Sequence, residues 1–208
     1  LGAMSRRNED YSMTPQPFDN NRDGLVMGEG SAVLVLETLD AARARGANIL
    51  AEIAGYGVTG DAFHITAPQE NGVGAAAAMR QAIQAAELDI TSVDYINAHG
   101  TATPLNDAAE TRAIKTVFGK HAHDLAVSST KSMTGHMMGA TGSLESLFCV
   151  QAIGSQLAPP TINYHTPDPE CDLNYVPNKA REIPIEVTMS NSFGFGGHNS
   201  VLVFKKYA

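Results

Sequence analysis

Short β-branched runs alternate with alanine-rich stretches of helical length through most of this chain, and that alternation restricts it to the α/β class, with a mixed sheet covered on both faces. Ala32-Val33-Leu34-Val35-Leu36 reads as a strand, and Leu39 to Arg45 as a helix stopped at Gly46. Ile49 to Tyr56 is expected as a second strand, followed by a glycine-marked loop from Gly57 to Gly74. The helix after it, Ala75 to Ala86, carries Met79, Ile83 and Ala86 on one face. Val93 to Asn97 is a short strand, and Pro104 suits the first turn of a helix over Leu105 to Phe118. Asp107 and Glu110 near the start of that helix, and Lys115 and Lys120 near or beyond its end, match the helix dipole. Leu125 to Ser128 is a strand, a helix runs from about Met137 to Ile153, and Ile185 to Ser190 pairs with Ser200 to Phe204 around a glycine turn. Leu1 to Gly30 is crowded with Pro, Asn, Asp and Gly and reads as a connecting segment, which leaves 31–208 as the folded domain.

With 208 residues, 43% of them hydrophobic, the chain can bury a core without disulfides or metals. Its net charge of −8 argues against a general nucleic-acid binder. Apolar runs such as Ser31 to Leu36 and Ser146 to Ile153 fall short of the roughly 20 residues a membrane helix needs, so no span is expected. Two cysteines make no disulfide framework, and the chain opens without a charged-then-apolar leader. A cytosolic or organelle-matrix setting is the expectation. Leu1 in place of a methionine points to an internal piece of a longer polypeptide.

Several features resemble sites without completing them. Asp19 to Gly24 begins like a calcium loop, but the twelfth position is Gly30 rather than glutamate, so an Asx-rich turn is the better reading. His121 and His123 fall at a helix end, where residues two apart diverge, and His165 stands in a loop. Cys149 sits in an apolar helical stretch as a small hydrophobe. Cys171 lies between Glu170 and Asp172, whose charges raise a thiol pKa.

Three segments carry chemistry. In Asn97-Ala98-His99-Gly100-Thr101-Ala102-Thr103-Pro104 a histidine leaves a strand end, where open α/β sheets bind ligands. The threonines either hold a substrate arm or cap the helix begun at Pro104. From Ser128 to Gly142, Lys131 and His136 lie in a polar turn feeding a helix whose positive end favours a neutral imidazole, able to donate to a carbonyl becoming an enolate. A core histidine beside a surface lysine is the alternative. Ser190 to Asn199 alternates glycine with Phe193 and Phe195, giving an oxyanion-hole donor and aromatic gate, or only a tight hairpin.

Together with Gly60 to Pro68 and Pro159 to Asn163, these segments resemble the C-terminal half of elongating beta-ketoacyl-acyl carrier protein synthases of the synthase II kind, over essentially the whole chain. The resemblance implies a thiolase-like, layered α-β-α-β-α fold and decarboxylative carbon–carbon bond formation in fatty acid synthesis. It implies that His99 and His136 polarise the malonyl thioester carbonyl, that Lys131 supports the second histidine, and that Phe195 gates the site. Thr101, Thr103 and Phe193 would line the path of the substrate arm, and Asp61, His64 and Thr66 a mobile loop coupled to the gate. Asn97, Glu145, Ser190 and Asn191 match positions that hold a structural monovalent cation or water in some relatives. No cofactor of its own is implied, the phosphopantetheine arriving on the acyl carrier protein. The other implied partners are the N-terminal half, which bears the nucleophilic cysteine, and a second copy in a homodimer. Because the chain is acidic, docking an acidic carrier protein needs a local basic patch, for which Arg6 and Arg7 are candidates. Asn106 stands where the family usually has glycine. A non-catalytic chain-length or scaffold subunit is the competing reading, and a degradative thiolase ranks last because its glycine turn would hold a cysteine where this chain has His198.

Overall fold

The computed structural model describes residues 2–207. Among these described residues are five α-helices and seven strands: α1 (Leu39–Ala44), β1 (Glu52–Gly60), α2 (Val73–Ala85), β2 (Tyr95–Asn97), α3 (Pro104–Phe118), β3 (Ala126–Ser128), α4 (Lys131–Thr134), α5 (Thr141–Ser155), β4 (Leu157–Ala158), β5 (Arg181–Glu182), β6 (Val187–Gly194) and β7 (His198–Lys205). The main sheet has the order β1-β7-β6-β2-β3. β2 runs parallel to β3 and β6, whereas β7 is antiparallel to β6 and β1. This is the mixed sheet expected of the thiolase-like α/β class.

Two apolar clusters, one on each side, hold the sheet. On one face α2 and α3 bury Met79, Ile83 and Ile114 against Ile96, Val127, Met189, Val201 and Val203. Gly55 and Gly57 let α2 approach, since a Cβ at Gly57 would lie 2.0 Å from the Ala78 carbonyl oxygen. On the other face α5 packs Cys149, Ala152 and Ile153 onto Tyr95, Ala126 and Phe204. The chain thus supplies three layers, α-β-α.

Several expectations need correction. The run Ala32 to Leu36 forms no strand, because its backbone finds no ladder partner among the described residues. Val33, Val35 and Leu36 stand exposed. β1 extends through Gly57 to Gly60, and β6 and β7 are longer than read, because antiparallel pairing continues up to the glycine turn. The helix placed from Met137 begins at Thr141, after a 3-10 turn at Met138–Ala140. Asp107 and Glu110 serve buried hydrogen bonds rather than a solvent-facing dipole. The opening segment is irregular yet packed: Phe18 is buried and stacks on Tyr175 with centroids 4.0 Å apart. Among the described residues no helix is long and apolar enough to cross a membrane.

Candidate active site

The parallel strands β2 and β3 and the strand β6 end side by side, with Asn97 opposite both Ser128 and Ser190. The loops leaving these ends carry the three polar segments, and a cavity of about 670 Å³ opens among them, in the range of small-molecule sites. His99, Thr101, Thr103, His136, Phe193 and Phe195 all line it.

His99 leaves β2 at once, held by its own backbone. Its N–H donates to Glu110 Oε1 at 2.9 Å and that of Gly100 to Glu110 Oε2 at 2.8 Å, so one buried carboxylate on α3 fixes the turn. Gly100 has room for no side chain: at φ +35° its Cβ would sit 2.6 Å from Ser129 Cβ. His136 comes from the far side, pinned by Gly28 and Val26, whose backbones bond to its carbonyl and N–H. The two rings meet edge to face at 5.4 Å, and Phe193 lies 5.6 Å from His99. Sequence separation said nothing of this meeting; the sheet makes it.

The tautomer of His136 follows from its partners. The Met138 backbone N–H donates to Nδ1 at 3.2 Å, and a backbone N–H can only donate, so Nδ1 is an acceptor. Thr141 Oγ1, 3.1 Å from Nδ1, already accepts from the Met137 N–H and so turns its own proton toward the ring. A neutral His136 therefore bears its proton on Nε2. Burial and then the Lys131 ammonium hold the His136 pKa down at about 4, and burial, Lys131 and His136 hold His99 well below the ordinary value. Both rings are neutral donors at pH 7. The sequence attributed neutrality to the helix start; desolvation and Lys131 are the larger causes.

Lys131 is no surface lysine. It is 2% exposed and donates from Nζ to Glu145 Oε1 at 2.5 Å, although burial still pushes the Glu145 carboxyl up to about 7. Among the described residues Glu145 Oε2, Asn191 Oδ1 and the hydroxyl of Thr188 are buried without partners. Two orphaned oxygens fit a hard monovalent cation, which Glu145 and Asn191 would hold. Asn97 is engaged with Thr130 Oγ1, while Asn191 Nδ2 donates to Glu110. Among the described residues no cluster of three or more His, Cys, Asp or Glu could bind a metal.

The threonines do not cap α3. Thr103 occupies the N-cap position without a side-chain cap bond, and its hydroxyl instead lies 2.9 Å from that of Thr101. Both therefore face the cavity. Around the rim, Asp61 ties two loops: its N–H donates to the Gly197 carbonyl at 2.8 Å and its Oδ1 accepts from Asn199 at 2.7 Å, while the Gly196 N–H reaches the Ile65 carbonyl. His64 Nδ1 accepts from the backbones of Thr66 and Ala67 and shapes the loop rather than reaching the histidines. Phe195 projects from the glycine turn, half exposed.

Asp19 makes no calcium site, since its carboxylate accepts from the backbones of Asn21, His165 and Thr166. Arg7 is bound to Gln16, Asn21 and Asp23, which weakens its candidacy for docking. Cys149 and Cys171 are buried, with thiols pushed up to about 12 by desolvation; for Cys171 the contributing carboxylates are Asp107 and Asp168, not its flanking neighbours. Sequence reasoning missed Glu110 and Thr141 as positioning groups. A hydroxyl five residues after His136 was the only signal for the second.

The chain is 56% identical over 205 residues to 3-oxoacyl-acyl-carrier-protein synthase 2 of Synechocystis, covering 99% of this chain and 49% of that protein. It is 56% identical over 200 residues to the synthase 2 of Staphylococcus aureus, covering 96% and 48%. The chain thus spans about half the length of the curated relatives it matches. Among solved structures, a type II polyketide ketosynthase captured with its acyl-carrier protein superimposes with a TM-score of 0.97 at 41% identity, over 100% of this chain and 51% of that one. A beta-ketoacyl synthase from Burkholderia phymatum does so at 0.95 and 44%, over 100% and 50%. Residues 50–165, more than half of the chain, match the family described as beta-ketoacyl synthase, C-terminal domain, and with two imidazoles converging at the shared strand ends, this chain belongs to that family.

Proposed function

We propose that this chain is the C-terminal half of a 3-oxoacyl-acyl carrier protein synthase, with 1–30 leading in from the other half and 31–208 as the C-terminal domain. The observation that carries this reading is the approach of two neutral imidazoles, 5.4 Å apart, in one cavity. His99 and His136 donate to the carbonyl oxygen of a malonyl thioester. The bond between its α-carbon and carboxylate breaks, carbon dioxide leaves, and the electron pair remains as an enolate held by the two donors. The α-carbon then attacks an acyl thioester, a new carbon–carbon bond forms, and a cysteine thiolate departs. Two preset donors in a water-poor site favour the developing oxyanion because they need no reorganisation as charge builds. Burial and then Lys131, tied to Glu145, keep both rings neutral, and Glu145 and Asn191 would hold a monovalent cation that would supply positive charge beside the buried carboxylates.

Cys149 and Cys171 cannot supply the thiolate, so the nucleophile comes from the other half. An uncovered sheet face supports that half. Gly55 and Gly57 point to α2, so Tyr56 and Val58 lie on the opposite, α5 side of β1, 67% and 59% exposed beside an exposed Ile53. Thr101 and Thr103 receive the phosphopantetheine arm of an acyl carrier protein, Phe193 packs by the reacting centre, and Phe195 with Asp61, His64 and Thr66 forms the entrance. A homodimer working in the bacterial cytoplasm or an organelle matrix completes the reading. The second reading, a chain-length subunit, takes support from the likeness to a ketosynthase–chain length factor structure at 30% identity and a TM-score of 0.83. In the intact protein, His99→Ala and His136→Ala should each suppress malonyl decarboxylation while acyl transfer to the cysteine persists; loss of acyl transfer alone would favour a different chemistry.

A further inference from the structure

One polar side chain in the cavity wall is unused by this mechanism. Asn106, in the first turn of α3, is 8% exposed and lines the cavity with Thr101 and Thr103. Its Nδ2 donates to Asp107 Oδ1 at 3.1 Å. Asp107 is itself fixed, accepting the Phe18 N–H at 2.8 Å and lying 3.9 Å from Arg22. A carboxylate can only accept here, so it orients the amide with nitrogen toward Asp107 and leaves Oδ1 as the free end. That oxygen has no partner among the described residues. Asn106 is as buried as His99, each 8% exposed, while Leu105 beside it in the same wall is 63% exposed, so the cavity wall opens to the surface next to Asn106.

We infer that Asn106 is a further substrate-positioning residue, its side-chain oxygen accepting a hydrogen bond from the secondary amide of the pantetheine arm farther from the thioester. An amide N–H drawn into a closed site needs an acceptor, and the Asn106 carboxamide oxygen, which can only accept and has no other partner among the described residues, supplies one beside the two threonine hydroxyls. The inference rests on the synthase reading and specifies which arm it holds.

The test compares two malonyl donors in the intact synthase: malonyl-pantetheine, which carries the distal amide, and malonyl-N-acetylcysteamine, which lacks it. Asn106→Ala should raise the ratio of the pantetheine KM to the N-acetylcysteamine KM about 2- to 13-fold, the span of one net hydrogen bond, with kcat on the longer donor little changed. Should that variant fail to fold, Asn106→Ser keeps a short donor beside Asp107, removes the carbonyl, and is read the same way. A wild type active on both donors whose KM ratio is unmoved by either substitution overturns this inference alone. A wild type that turns over neither of these donors nor malonyl-acyl carrier protein overturns the synthase reading, and this assignment with it.

Discussion

Replacing His136 in the intact protein by glutamine, asparagine and alanine separates the proton position from the mere presence of a polar group. The Met138 N–H and Thr141 hydroxyl occupy Nδ1, so the donor aimed into the cavity is Nε2–H. Glutamine can place an amide nitrogen near the Nε2 position; asparagine reaches only as far as Nδ1. Deleting one preset oxyanion donor typically costs about 100- to 1,000-fold in rate, roughly 2.7–4 kcal/mol. His136→Ala and His136→Asn should therefore lose decarboxylation by about that factor, with His136→Gln retaining at least about tenfold more than either. The assay is release of labelled carbon dioxide from malonyl thioester under single-turnover conditions, alongside acylation of the cysteine by an acyl thioester. Because His136 is held at about 4, no titration of this ring should appear in the wild-type rate between pH 6 and 8. Asparagine matching glutamine, or acylation falling as far as decarboxylation, would refute the assignment of Nε2–H to the malonyl carbonyl.

Three other outcomes follow from the buried groups. Lys131→Met strands the Glu145 carboxyl and should destabilise by about 3–5 kcal/mol in urea unfolding, softened where Glu145 takes up a proton, while Lys131→Met combined with Glu145→Leu should cost less than the single change. Glu145 has a pKa raised from 4.5 to about 7, so its stabilising contribution is full below 4.5 and is lost as pH rises through about 7. Wild type should then gain about 3 kcal/mol over Glu145→Gln between pH 7 and 4.5, whereas His136, lowered toward 4, loses stability as pH falls below its ordinary value; a flat difference between wild type and Glu145→Gln would contradict the burial of that carboxyl. Cys149 and Cys171 should resist iodoacetamide under native conditions and react only after unfolding, which peptide mass mapping reads directly.

Local signals carried much of the architecture. Alanine spacing, Pro104 and the capping glycine marked α2, α3 and the end of α1 because helix preference acts over a few residues. The motifs around His99 and His136 were legible for the same reason, since turn residues next to strand ends announce themselves. Extent of pairing was not: β6 and β7 run longer than their apolar cores, and Ala32 to Leu36 has a strand's composition without a partner to pair with. Strand formation is decided by the neighbour, which lies far along the chain or outside it.

From the residue order alone came the α/β class, the two polar segments that carry His99 and His136, and the unsuitability of both thiols. Which nitrogen of His136 carries the proton, that Lys131 is buried against Glu145, and that Glu110 fixes the His99 turn were decided by tertiary structure. The reason is common to all three. Desolvation and hydrogen-bond geometry depend on distances between groups brought together by the sheet, and no local pattern encodes those distances.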